Sequence, residues 1–375
     1  MILQRLWRRI AAPIDPFLFS LLMMLIGFTT VVQLSASPDR IQAQLINTGV
    51  ALAVMWVVAN ISPQRLQTLA LPLYVVGVLL LVAVALFGQI SKGAQRWLDL
   101  GIMRIQPSEL LKIAMPLMLA WYFQIREGSL AVRDFVVATV LLAIPVGLIA
   151  KQPDLGTAIL VLSAGLFVIF FAGLSWKLIA PVMLAGAVGV GAIVATEDKI
   201  CAPDVQWPGL RDYQKHRICT LLDPTSDPLG KGFHTIQSEI AIGSGGVLGK
   251  GWRNGTQTQL EFIPERHTDF VFAVISEEFG LIGNIGLLFT FLLVILRGLL
   301  IAANGATVFG RLLAGAISLS FFTYAFVNMG MVTGILPVVG VPLPLVSYGG
   351  TALVTLCLGL GILMSVARHR TLLQK

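Results

Sequence analysis

The run Pro264-Glu-Arg-His-Thr-Asp-Phe-Val-Phe-Ala-Val-Ile-Ser-Glu-Glu278 gathers Glu265, Arg266, His267, Asp269, Glu277 and Glu278 in a chain of which only 12% is charged. A long polar stretch precedes it and an unbroken apolar run follows. Such a crowding of acids and bases at a water–membrane boundary suits general-base chemistry, one carboxylate taking a proton. Asp269 is a candidate base, with Glu261, Glu265 and Glu277 as rivals. Asp269 also sits beside Thr268 at a helix start, where stabilising the positive dipole end would lower its basicity. His267 is either a second titrating group or a structural hydrogen-bonder.

Other polar groups stand in otherwise apolar surroundings. In Gln106-Pro-Ser-Glu-Leu-Leu-Lys112, Pro107 suits a first helical turn, and Glu109 and Lys112 share a face at i and i+3. They form either an ion pair at a helix end or the wall of a polar cavity. Asp154, in Lys151-Gln-Pro-Asp-Leu-Gly156, caps the next helix or joins that cavity. Ser91–Asp99 reads as an interfacial amphipathic turn with Trp97 at headgroup level, or as a rim offering Lys92 and Arg96 to an anion. The glycine run Gly243–Gly251 fails the nucleotide P-loop pattern at Ser244 and Gly251. It is a turn, or a set of backbone N–H groups able to approach a phosphate.

The elements that must hold these groups are membrane helices. The chain is 375 residues, 56% hydrophobic, with a net charge of +7, and soluble domains run nearer ~25% charged. Apolar runs recur near Phe17–Ala36, Leu45–Ile61, Ala70–Gly88, Pro107–Phe123, Phe135–Ala150, Thr157–Gly173, Leu178–Ala195, Gly280–Ala303, Leu312–Val332 and Leu345–Ala367. The fold class is therefore an all-α polytopic membrane protein of about ten transmembrane helices. The fourth to sixth runs are short, hence tilted, broken or shielded by neighbours. No small-residue cleavage site follows the first span, which reads as an anchor.

Positive residues in short loops stay cytoplasmic. With the N-terminus inside, Arg5, Arg8, Arg9, Arg65, Arg126, Arg133, Lys177, Arg297, Arg311, Arg368, Arg370 and Lys375 fall inside; Arg40, Lys92, Arg96, Arg104 and Lys151 fall outside. Both termini are thus expected in the cytoplasm and the long loop outside. The expected organisation is one membrane domain: a cytoplasmic segment 1–16, seven spans over 17–195, a large extracytoplasmic loop 196–279, three spans over 280–367 and a cytoplasmic segment 368–375. The basic balance is this topological signal, so no nucleic-acid partner is expected.

Within the outer loop, Arg211–Leu222 reads as a helix with Tyr213, Arg217 and Thr220 near one face. Asp223–Gly230 reads as a turn-rich break, and Phe233–Ile242 as a short helix carrying Gln237 and Ser238. Cys201 and Cys219 both lie in this loop, where a disulfide can persist; their spacing permits a bridge without requiring one. Cys357 reads as a small buried apolar residue. The Pro- and Gly-studded stretch from Gly334 to Gly350 cannot be a regular helix. Irregular backbone at membrane depth must be buried or line a cavity, so it reads as re-entrant.

Tyr213-Gln-x-x-Arg217, Gly243-Ser-Gly-Gly246, Pro264-Glu-Arg-His-Thr-Asp269 and Gly340-Val-Pro-Leu-Pro-Leu-Val-Ser-Tyr-Gly-Gly350 closely resemble the SEDS proteins (shape, elongation, division, sporulation). Gln106-Pro-Ser-Glu109 with Lys112, and Gln152-Pro-Asp154, match too. Ser91–Asp99 and Leu221–Gly230 resemble the elongation branch rather than the division branch. The likeness spans nearly the whole chain. Glu197–Leu210, which includes Cys201, looks like an insertion.

The resemblance implies a peptidoglycan glycosyltransferase in the bacterial cytoplasmic membrane, its site on the extracytoplasmic side. It would polymerise lipid II into β-1,4-linked glycan strands for cell elongation and release undecaprenyl diphosphate. Its implied partners are a class B penicillin-binding protein that crosslinks the strands and other elongation-complex membrane proteins. The family's catalytic carboxylate maps onto Asp269, its intramembrane ion pair onto Glu109 and Lys112, and its other acidic cavity residue onto Asp154. Arg217, Lys112 and Lys215 are then the cations for the diphosphate, and Gln237 and Ser244 hydrogen-bond sugar or peptide groups. A divalent cation, Mg or Mn, near Asp269 or Glu109 suits a diphosphate leaving group, though no ligand spacing shows one. Two other readings share the same cavity: a lipid-linked precursor flippase, and a non-catalytic scaffold of the elongation complex.

Overall fold

A computed structural model describes residues 14–91, 94–99, 104–202, 205, 212–223, 227, 230–263 and 265–369. The basic N-terminal segment, Lys92, most of 203–211, part of the Asp223–Gly230 break, Pro264, Arg370 and Lys375 lie outside the described residues. Of Tyr213 and Arg217 only the backbone is described.

The first three helices are α1 (Pro16–Ala36), α2 (Ile41–Ala59) and α3 (Pro63–Phe87). A small antiparallel sheet follows, of β1 (Gln89–Ser91), β2 (Ala94–Asp99) and β3 (Arg104–Ile105), pairing Gln89 with Trp97 and Leu98 with Ile105. Four more helices are α4 (Pro107–Ile125), α5 (Val132–Lys151), α6 (Leu155–Phe171) and α7 (Trp176–Ala195). The outer loop carries α8 (Glu197–Ile200), α9 (Asp212–Leu222), α10 (Lys231–Gly245) and α11 (Thr256–Gln259). The chain closes with α12 (Val271–Ala303), α13 (Val308–Val332) and α14 (Gly350–Arg368).

Among the described residues, eight helices are long and apolar enough to cross a membrane. The two other expected spans are α4, which carries Glu109 and Lys112, and the 17-residue α6. Both are shielded: α4 packs against α3, α6 and α13, and α6 also against α13 and α5. Around this centre α14 lies along α2, α12 along α13, and α1 along α12. Elsewhere a helix turns apolar side chains outward, as a bilayer requires. The extreme is α7, none of whose residues is buried.

Ends are fixed by side chains. Asp15 caps α1 by accepting from the Leu18 N–H at 2.9 Å, and Arg297 of α12 donates to the same carboxylate. Asp134 accepts from the Ala131 N–H at 2.8 Å and from the Tyr122 hydroxyl at 3.0 Å, joining α5 to α4. Thr307 caps α13 through the Gly310 N–H.

Three details differ from the sequence reading. Within Ser91–Asp99, Ser91 and Ala94–Asp99 are strand rather than amphipathic turn, paired antiparallel with each other. The eighth apolar run begins earlier, at Val271, and is broken at Gly280, where φ is +63°. The last span begins at Gly350 rather than Leu345. The preceding residues are held in a turn, with Ser347 N–H on the Leu343 carbonyl at 3.0 Å and Tyr348 N–H on the His267 carbonyl at 2.8 Å.

Candidate active site

Asp269 lies one residue before the N-cap of α12. Its segment is gripped from three sides. Asn328 of α13 donates through Nδ2 to the Asp269 carbonyl at 2.8 Å and to the Val341 carbonyl at 2.7 Å. Ser347 donates to the Thr268 carbonyl at 2.5 Å. Gln33 of α1 donates to the carbonyls of His267, at 3.1 Å, and Val346, at 3.2 Å. The His267 ring meets the Tyr348 ring edge-on at 5.8 Å, and the Arg40 guanidinium lies 5.6 Å from the other ring's centre. The carboxylate itself faces Gly340: a Cβ placed on that glycine would lie 3.4 Å from Asp269 Oδ2. Gly340 has φ +71°, so glycine there satisfies the backbone as well as leaving room.

Asp154 joins from the other side of the same loop. It caps α6 through the Thr157 N–H at 3.3 Å and accepts from Gln106 Nε2 at 2.9 Å. Arg96 lies 3.8 Å away and donates to the Pro153 carbonyl at 2.7 Å. Two residues on, Gly156 lets α6 touch the irregular segment: a Cβ there would sit 2.7 Å from the Val339 carbonyl oxygen. Asp154 is thus a helix cap, tied through Gln106 to the residues that border the cavity beside Glu109.

Lys112 and Glu109 pair at 2.6 Å, and Thr355 of α14 donates to the second Glu109 oxygen at 3.2 Å. The Lys112 ammonium also lies 5.3 Å from the centre of the Tyr324 ring. Tyr324 and Asn328 stand one turn apart on α13, so this pair and the Asp269 segment lean on the same helix face. A cavity of about 480 Å³ opens beside Glu109, bordered by Asn47, Arg104, Gln106, Gly350, Thr351 and Thr355.

Other expected site residues are placed elsewhere. Lys215 donates to the carbonyls of Ala202 and Val205, both at 2.6 Å, which satisfies its ammonium locally. Ser244 donates back to the Ala241 carbonyl at 2.9 Å. Gln237 is half-buried on α10, beside Ser238, which donates to the Val332 carbonyl. Cys201 and Cys219 are joined in a disulfide. The glycine run spends its N–H groups within the fold. Lys250 and Gly251 donate to the carbonyls of Glu277 and Glu278, while Leu281 and Ile282 donate back to those of Gly246 and Val247. The loop zips onto the break in α12, so a phosphate-cradling role fails for those amides.

The rival acids are also spent. Glu277 is fully buried and accepts from Lys250 Nζ at 2.8 Å, from the N–H groups of Gln257 and Thr258, and from the Thr258 hydroxyl at 2.9 Å. Glu261 pairs with Arg266 at 2.9 Å, and Arg266 also donates to the carbonyls of Ala36 and Thr258. Glu265 accepts from the Thr268 hydroxyl at 3.1 Å.

Sequence reasoning passed over Gln33, Tyr324 and Asn328. Each is a lone polar group inside an apolar span, and a polar side chain at membrane depth needs a partner. That signal was present, but nothing in the chain said which partner. Among the described residues no three His, Cys, Asp or Glu side chains gather as a metal site.

A family description of cell cycle proteins, FtsW/RodA/SpoVE, matches residues 14–372. The chain is 51% identical over 365 residues to the peptidoglycan glycosyltransferase MrdB of Escherichia coli K12, covering 96% of this chain and 95% of that one. It is 33% identical over 330 residues to stage V sporulation protein E of Bacillus subtilis 168, covering 87% and 86%. Among solved structures it resembles the rod shape determining protein RodA of Thermus thermophilus, with TM-score 0.68 and 29% identity over 95% of this chain and 97% of that one. It also resembles a chain of a peptidoglycan synthase complex that coordinates polymerization and crosslinking, with TM-score 0.77 and 36% identity over 96% and 98%. With a family match over nearly its whole length, the chain belongs to the FtsW/RodA/SpoVE family of multi-pass membrane proteins.

Proposed function

We propose that this chain is a peptidoglycan glycosyltransferase that polymerises lipid II into β-1,4-linked glycan strands for cell elongation. The carboxylate of Asp269 takes the proton from the acceptor sugar hydroxyl as its oxygen attacks the donor's anomeric carbon. The bond from that carbon to the diphosphate breaks, and undecaprenyl diphosphate leaves. The donor is α-linked and the product β-linked, so the displacement inverts. A single base is enough, because a diphosphate held by cations leaves without a proton.

What supports Asp269 is its place: the carboxylate borders Gly340 of the irregular loop, while Glu277 lies fully buried among five donors that tie it to residues 250–258. The Asp269 backbone is locked by Asn328, and Ser347 locks the Thr268 carbonyl beside it. Such locking supplies the orientation that proton transfer needs. Lys112 is already neutralised by Glu109, so that pair shapes the wall, and Arg217 on α9 is the cation assigned to the diphosphate. The working face is extracytoplasmic, and a class B penicillin-binding protein crosslinks the strands.

Purified protein supplied with lipid II should yield polymer, and both Asp269→Ala and Asp269→Asn should reduce it by about 10²-fold or more. A precursor flippase would make no polymer at all. A scaffold would support its partner's polymer undiminished after Asp269→Ala. Either result ends the proposal.

A further inference from the structure

We propose that the seam between α1 and α12 holds an anionic diacyl phospholipid, its phosphate at Arg253 and one acyl chain in the groove below. The two helices are tied near both ends. Ser35 donates to the buried carboxylate of Glu278, and Arg297 donates to that of Asp15. Between these ties lies a groove of about 280 Å³, bordered by Met24 and Phe28 on α1 and by Gly283, Gly286, Leu287 and Thr290 on α12. The one polar group named there, the Thr290 hydroxyl, is spent on the Gly286 carbonyl at 2.8 Å. Gly286 has open space where a side chain would stand. Water finds no partners on such walls, whereas a hydrocarbon chain gains contacts along their whole length.

What heads the groove identifies the lipid. Positions 24, 28 and 31 share one face of α1, so Val31 continues the groove wall toward the helix end at Ala36. Val31 is itself exposed, as a lipid-facing residue is. The Trp252 indole N–H donates to the Val31 carbonyl at 3.0 Å, roughly 7.5 Å short of that helix end. On α12, Ile282 stands one turn before Gly286, and its N–H is bonded to the Val247 carbonyl. The glycine run therefore closes the same end of both walls, and Trp252 lies at the level where indoles meet headgroups. Arg253 follows it, exposed, with its guanidinium 5.8 Å from the centre of the Trp252 ring. Lys250, by contrast, is paired with Glu277 at 2.8 Å. A guanidinium matches phosphate through paired N–H donors. Cationic above and apolar below is the order of groups in an anionic phospholipid. A zwitterionic headgroup brings its own cation up against Arg253, so net negative charge is preferred.

The test uses the full-length chain in phosphatidylcholine nanodiscs, with Trp252→Phe as the blank that isolates Trp252 emission. A minor fraction of the lipid is replaced by phosphatidylglycerol brominated near the headgroup end of its acyl chains. A parallel set carries phosphatidylcholine brominated in the same place. The brominated phosphatidylglycerol should quench Trp252 about twofold or more beyond the brominated phosphatidylcholine. Arg253→Gln should bring the two to parity while quenching by phosphatidylcholine persists. Gly286→Leu, which fills the groove, should also abolish the preference; if that variant does not fold, Arg253→Gln decides alone. A Trp252 quenched by neither lipid would overturn the inference, because the loop would then lie away from the leaflet. Equal quenching in the native chain, or a preference that survives both substitutions, would overturn it as well. Unlabelled undecaprenyl phosphate might compete for the same groove. Displacement of brominated phosphatidylglycerol by that lipid, where equal unlabelled phosphatidylglycerol fails, would overturn the diacyl assignment. None of these outcomes depends on glycan synthesis, so each is separable from the fate of the glycosyltransferase reading.

Discussion

Glu277 has the acidity and depth that a catalytic carboxylate needs, yet its surroundings make it an anchor. Its two oxygens collect the ammonium of Lys250, two backbone N–H groups and two hydroxyls, all from residues 250–258. That loop in turn accepts Arg266 at the Thr258 carbonyl, three residues before Asp269. Removing one member of a buried ion pair strands the other, which typically costs about 3–5 kcal/mol. Glu277→Ala should therefore lower stability by that order, read from thermal unfolding in detergent. Glu277→Gln, which keeps the shape and half the acceptors, should retain polymerisation within about tenfold of native at permissive temperature, where Asp269→Asn should not. A Glu277→Gln enzyme as dead as Asp269→Asn would reverse the assignment of base and anchor. The chain already pointed to this cluster of acids, but not to which of them was spent. Acid identity is local information; the donors that consume Glu277 come from 19 to 27 residues away.

The broken helix α12 shows the same limit one scale up. Apolar periodicity located its membrane part to within a few residues, and the glycine run 243–251 was visible as irregular. Their pairing was not, because φ > 0 is a choice that glycine permits rather than announces. In the fold, Gly280 at φ +63° and Gly249 at φ +76° face each other with no room for a side chain. A Cβ on Gly280 would lie 2.3 Å from the Gly249 nitrogen, and one on Gly249 would lie 2.2 Å from the Glu278 carbonyl oxygen. The neighbours struck are backbone, so they cannot rotate aside. Gly280→Ala and Gly249→Ala should each cost about 1–3 kcal/mol from backbone strain alone, and more from the clash. Gly286→Ala, on the same helix with open space around it, is the control and should be neutral or slightly stabilising. Equal stability of all three, measured by denaturation, would show that the loop and the break do not interlock. The small sheet of β1 to β3 was missed because its short strands carry no clear alternation of apolar and polar residues.

At the scale of the whole molecule, the mechanism depends on which side of the bilayer the loop faces. From the count of positive residues in the terminal segments and short loops, twelve against five, we expect the α4–α5 and α12–α13 connections in the cytoplasm and the glycine run outside. The fold supplies exposed probes at each: Ser129 and Asn304 in the connections, Leu248 in the run. In a Cys357→Ser background the bonded Cys201–Cys219 pair does not react with maleimide, so an introduced thiol is the only target among these positions. Leu248→Cys should be labelled by a membrane-impermeant maleimide on intact spheroplasts. Ser129→Cys and Asn304→Cys should be labelled only after permeabilisation. Asp269 follows the run by some twenty residues and precedes the membrane part of α12, so it shares the side of Leu248. A reversed pattern would put the proposed base in the cytoplasm, where no glycan strand is assembled. No rearrangement of the residues around Asp269 could then rescue the reaction, because the acceptor strand would lie on the wrong side of the bilayer.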